Sequence, residues 1–145
     1  MNTKTVVIAR YLLGGAFLLF GLNGFLAFMP VPPARPDAER FIRAIIETGY
    51  FFQMVKAIEV ASGLLLILNR WVPLALVLLA PLLWCITSIH LFLNAEGLPL
   101  MLVLFSIYAY LVYAFRPSFR GLLVKAPASG AERVNDLVEP RRLQA

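Results

Sequence analysis

The sequence predicts an all-α integral membrane protein: a bundle of four transmembrane helices with a short interfacial amphipathic helix in the first outer loop. Three observations predict it. Of the 145 residues 61% are apolar and 14% charged; long apolar runs recur along the chain; and the basic residues gather at the chain ends and in the loops, Arg35, Arg40 and Arg43 of the first connection being balanced there by Asp37, Glu39 and Glu47. A soluble domain has about half its residues apolar and a quarter charged. A chain this short cannot bury so large an apolar excess, so lipid must be part of its solvent. The mean hydropathy of +0.81 agrees. The net charge of +5 does not point to nucleic acid, because membrane proteins concentrate Lys and Arg in loops and tails in this way.

A bilayer core about 30 Å thick takes about 20 residues of helix. Runs at residues 6–29, 50–68, 71–93 and 98–115 approach or exceed that length. Helices rather than strands follow because hydrocarbon offers no water to unpaired backbone groups. The first run follows Lys4 and contains Arg10. Its apolar stretch exceeds a signal-peptide core and no small-residue cleavage site closes it, so a retained helix is expected. Gly14, Gly15, Gly21 and Gly24 in this run, with Ala57, Ala61 and Gly63 in the second, are small enough to let the two backbones approach.

In the first connection Pro30, Pro32, Pro33 and Pro36 enforce an extended entry, and Asp37 is expected to cap a helix. Ala38, Phe41, Ile42, Ile45 and Ile46 then recur on one face, opposite Glu39, Arg40, Arg43 and Glu47, and Thr48-Gly49 ends the pattern. This amphipathic helix is expected on the outer membrane surface. Pro81 should bend the third run by removing the hydrogen bond to the Val77 carbonyl. Trp71, Tyr50 and Tyr113 read as interfacial anchors, and Trp84 as core. Arg116-Pro117 stops the fourth run. Residues 1–119 thus form one membrane domain, and 120–145 a flexible cytoplasmic tail. Lys4, Arg10, Arg70 and the basic tail place both termini in the cytoplasm by the positive-inside rule.

The second run carries the chemistry. Gln53, Lys56 and Glu59 follow one another at intervals of three and climb one side of a helix. Ionisable groups inside a bilayer turn inward and take a partner, so Lys56 and Glu59 are expected to pair, either as a lock on helix register or as a functional polar site. Residue counting places Asn23, Cys85, Ser88 and His90 in the same half of the membrane, away from the termini. Asn23, Gln53, Lys56, Glu59, Ser88 and His90 are therefore the candidate intramembrane site. No catalytic residue is assigned. His90 is the single histidine and Cys85 the single cysteine, which provides no zinc-type cluster and no dithiol; no metal is expected. Phosphate-loop, nucleophile-elbow and dinucleotide-binding patterns are absent from the sequence.

Gly21-Leu22-Asn23-Gly24-Phe25, the Pro-rich loop, Thr48-Gly49-Tyr50-Phe51, Lys56-Ala57-Ile58-Glu59-Val60-Ala61-Ser62-Gly63, Arg70-Trp71-Val72-Pro73 and His90-Leu91-Phe92-Leu93 together resemble the DoxX family of small bacterial membrane proteins. The resemblance covers roughly residues 10–119. It implies a four-helix bundle in the bacterial inner membrane and, as for some members, association with quinone-linked respiratory or sulfur-oxidising complexes. The expected role is a non-catalytic accessory subunit, with a quinone as the one cofactor to consider. Lipid, a redox-complex protein and a second copy of the chain are the partners to consider, and nucleic acid is not. The competing expectation is a small transporter or proton-linked permease that uses Lys56 and Glu59. An enzyme acting directly on quinol or thiosulfate ranks below both.

Overall fold

In the computed structural model the described residues are 3–30 and 33–122, and all their regular elements are helical. The α-helices are α1 (Thr3–Leu26), α2 (Pro36–Glu47), α3 (Phe51–Ile67), α4 (Val72–Phe92) and α5 (Leu98–Ala114), with 3-10 turns at Ala95–Gly97 and Arg116–Leu122. The tail expected from residue 120 lies outside the described residues beyond this last turn. Three helices are long and apolar enough to cross a membrane unaided: α1, α4, and α5 with its preceding turn. The 17-residue α3 falls short of that length and meets α2 at a bend of 94°, so the count becomes four if the bent pair is one span.

Helix ends explain the differences from the expected boundaries. α1 stops at Leu26, short of Met29, because the Asn23 side chain turns the chain over. Its Oδ1 accepts from the Met29 N–H at 2.6 Å, its amide donates to the Met29 carbonyl at 3.3 Å, and Ala27 takes a left-handed conformation (φ 48°). Asp37 is not the cap of α2. Arg35, extended as a residue before proline must be, holds that position, and Pro36 opens the helix where no N–H is needed. Asp37 instead sits in the first turn and pairs with Arg40. Between α2 and α3, Gly49 has φ 77°, a conformation that costs glycine nothing. The Thr48 hydroxyl there accepts from the Phe51 N–H. α3 ends in a Schellman closure, in which the Arg70 N–H reaches the Leu65 carbonyl and the Asn69 N–H that of Leu66, with Asn69 left-handed.

α1 and α3 are antiparallel and in close contact. A methyl group placed on Gly14 would sit 2.9 Å from the Gly63 carbonyl, and one on Gly63 would sit 2.7 Å from the Leu18 nitrogen. Gly21 meets Val60 and Glu59, and Gly24 meets Lys56. Gly15, by contrast, faces open space, and Ala57 and Ala61 are exposed. The stripe of α3 that faces α1 runs through Lys56, Val60, Gly63 and Ile67, and helical geometry turns the two alanines away from it. α4 packs on α3 and α5, and α5 closes back on α1.

The core is built mainly from Leu13, Phe17, Leu66, Leu76, Leu79, Leu83, Met101, Leu104 and Leu111, with Ala9, Val72 and Ala75 between them. The outside is equally apolar: Leu12, Phe25, Leu74, Val103 and Phe92 are all exposed. A bundle in water would place polar residues there, and these surfaces instead suit lipid. Trp84, expected in the core, is 67% exposed. It belongs to the outer stripe of α4 with Val77, Pro81 and Leu91. Tyr50, Trp71 and Tyr113 are exposed near helix ends, as anchors should be.

Candidate functional site

The Lys56–Glu59 pair forms. The Lys56 ammonium donates to both carboxylate oxygens of Glu59, at 2.8 and 3.1 Å. Glu59 is 1% exposed, and the Lys56 side chain retains 18% exposure beside the Phe52 ring. Spacing along α3 brings the two together, and α1 seals them. Glu59 stands at the midpoint of α3, roughly 12 Å from either end. Gly24 leaves room for the Lys56 stem, whose Cγ and Cδ would lie 2.5 Å from any added methyl group. Gly21 does the same for the backbone of Val60 and the Cβ of Glu59. The glycines that read as packing residues thus also shape the pocket of the ion pair.

The other candidates do not converge on it. Gln53 is exposed. It lies one turn nearer the start of α3 than Lys56, which already faces Gly24 near the end of α1, so no helix remains to cover it. Asn23 spends its amide on Met29. Ser88 donates to the Trp84 carbonyl on its own helix at 2.9 Å, and Cys85 is exposed. The His90 ring pairs through Nδ1 with the Asn94 carbonyl at 3.2 Å. A carbonyl can only accept, so Nδ1 is the donor in this contact. The ring lies against Gly97, where a methyl group would fall 2.2 Å from Cε1 and Nδ1, so that glycine is what lets the histidine fold over the α4–α5 turn.

Sequence reading missed two polar groups. Ser62, one turn from Glu59 on the same face, is fully buried and its hydroxyl has no partner; a lone serine in an apolar helix carries no sequence signal. Tyr108 of α5 donates to the Leu76 carbonyl at 3.1 Å, one residue before the acceptor that Pro81 leaves free. Among the described residues no three His, Cys, Asp or Glu side chains gather as metal ligands would. An open apolar groove of about 310 Å³ runs between α1 and α5, lined by Thr5, Ile8, Leu12, Ser106, Ile107 and Tyr110. Its walls are apolar, and the Ser106 hydroxyl beside it is spent on the Leu102 carbonyl of its own helix at 2.7 Å.

Comparison with family models, with curated protein sequences and with solved structures finds no match to this chain.

Proposed function

We propose that the chain is a DoxX-like four-span protein of the bacterial inner membrane with both termini cytoplasmic, α2 lying at the outer interface, and a non-catalytic accessory role in a quinone-linked redox or respiratory complex. One observation carries the choice of a scaffold over a conduit. Asn23, Lys56, Glu59, Ser88 and His90 each find a partner on their own helix or adjoining turn, Gln53 is exposed, and the Lys56–Glu59 pair bonds to neither Ser88 nor His90. The pair closes within α3, and its fit against Gly21 and Gly24 holds α3 on α1 without opening a path across the bundle. The resemblance described above supports the redox association and its quinone link. Extraction in a mild detergent tests the reading: a partner protein or a quinone should accompany the chain, and recovery of the chain alone with neither would end it.

The permease reading keeps one observation in its favour, the unpartnered Ser62 hydroxyl one turn from Glu59. It requires that Glu59→Gln abolish proton-coupled flux in liposomes. Equal flux in wild type and variant removes it.

A further inference from the structure

Arg10 is 7% exposed. It shares the buried stripe of α1 with Leu13, Gly14, Phe17 and Gly21, and its Nε is sealed from solvent without a hydrogen-bond partner. Among the described residues its guanidinium meets only the Tyr11 ring, 5.4 Å from the centroid. Arginine does not shed its proton in proteins, so burial of this group calls for an anion or a set of acceptors. Gly14, one turn further on, lies against Gly63, Leu66 and Ile67, which puts Arg10 beside the end of α3 and the turn into α4. The carbonyls of that helix end are the obvious local acceptors. Those of Leu65 and Leu66 are already taken by the Schellman closure, and none receives a hydrogen bond from Arg10.

The same end of the bundle holds Arg70, stacked over Trp71, and Arg116, stacked over Tyr113. The acidic residues among the described ones lie elsewhere: Asp37, Glu39, Glu47 and Glu96 toward the opposite end, and Glu59 in the middle of α3.

We propose that Arg10 is the centre of an anion site that binds the phosphate of an acidic membrane lipid, at the end of the bundle formed by the start of α1, the α3–α4 turn and the end of α5. Its terminal nitrogens meet no acceptor among the described residues, and a phosphate supplies two oxygens at the spacing of the planar fork. Helical side chains lean toward the N-terminus, so Arg10 reaches back toward the level of Thr3 and Thr5, where the headgroups of a bilayer lie. Arg70 and Arg116 add attraction at that surface. Free phosphate presents the same oxygens. The proposal rests on the membrane reading above.

The test is thermal unfolding of the full chain in nanodiscs of phosphatidylcholine alone, of phosphatidylcholine with phosphatidylglycerol, and of phosphatidylcholine with added inorganic phosphate. Phosphatidylglycerol should raise the midpoint of wild type and of Arg40→Gln, which lies at the opposite end, and leave Arg10→Gln unmoved. A rise produced by inorganic phosphate, and lost in Arg10→Gln, keeps the site and assigns it to the free anion. An equal lipid-dependent rise in Arg10→Gln overturns the proposal, as does a lower midpoint that is the same in every lipid, the mark of a helix cap. Should Arg10→Gln fail to reconstitute, Arg10→Lys keeps the charge and loses the fork. Its affinity for phosphatidylglycerol, titrated by native mass spectrometry, should fall on the order of ten-fold, and an unchanged affinity overturns the proposal equally. A chain that stays in the aqueous phase refutes the membrane reading; one that inserts without any Arg10-dependent lipid effect refutes only the anion site.

Discussion

Gly63→Ala and Gly15→Ala are the same chemical change on facing helices, and the structure gives them opposite signs. At Gly63 the new methyl group would lie 2.7 Å from both the Gly14 carbonyl oxygen and the Leu18 nitrogen, and 3.1 Å from the Leu18 Cα. All three are backbone atoms, so no rotamer change relieves the overlap, and α1 and α3 must part by about 0.8 Å to restore an optimal separation of about 3.5 Å. A gap of that size forfeits roughly a quarter to a half of the dispersion well at each contact across the interface, and overpacking of this kind costs about 1–3 kcal/mol. Alanine returns about 0.8–1 kcal/mol of helix propensity. The net expectation for Gly63→Ala is a loss of up to about 2 kcal/mol. At Gly15 nothing lies within 4 Å, so the propensity gain stands alone and the variant should be more stable by up to about 1 kcal/mol. Reversible unfolding in bicelles, followed by steric trapping, measures both. If Gly63→Ala is no less stable than Gly15→Ala, the α1–α3 interface is not the one described.

Lys56→Met leaves Glu59 buried without its cation and should destabilise the chain by about 3–5 kcal/mol. In the double variant with Glu59→Leu most of that loss should return, since an apolar pair of similar volume is often neutral or better; a double variant as unstable as the single one contradicts the register role. Asn23→Ala removes both hydrogen bonds to Met29 and should cost about 1–2 kcal/mol, with faster amide exchange at Met29 as its signature. Gly97→Ala should drive the His90 ring off the Asn94 carbonyl, changing the imidazole nitrogen resonances in NMR; an unaltered spectrum would show that the ring does not rest there. In a Cys85→Ser background, cysteines placed at Arg70 and at Glu96 should react with an impermeant maleimide from opposite sides of the membrane, and labelling from one side defeats the proposed topology.

The helices were legible because apolar runs and proline stops are local signals: each expected span boundary falls within about one helical turn of an observed one. The Lys56–Glu59 contact was legible for the same reason, since a spacing of three on a helix sets it. What escaped required the third dimension. Gln53 continues the spacing but sits past the level that α1 covers, and Arg10, which reads as a flanking charge, is buried because its face carries on the Gly14–Gly21 stripe. Asp37 was misread as a cap because proline at the first helical position moved the start of α2 by two residues.

Trp84 exposes a further limit that belongs to the physics of the solvent. In water, hydrophobicity separates inside from outside, and a tryptophan deep in an apolar helix is core. In lipid that contrast disappears. α4 is buried at Leu76, Leu79 and Leu83 and exposed at Leu74, Val77 and Trp84 with no change of residue character. The residues that mark the inner face are those lipid accommodates poorly or those that admit a neighbouring backbone: Arg10, Glu59, Ser62, Gly14, Gly21 and Gly63, all of them buried or in close contact on α1 and α3. α4 and α5 carry few such marks. Their broad outer surfaces, with Trp84 and the free Cys85 on one stripe, offer apolar area to lipid, while the polar and glycine-rich seam of α1 with α3 keeps the bundle in register.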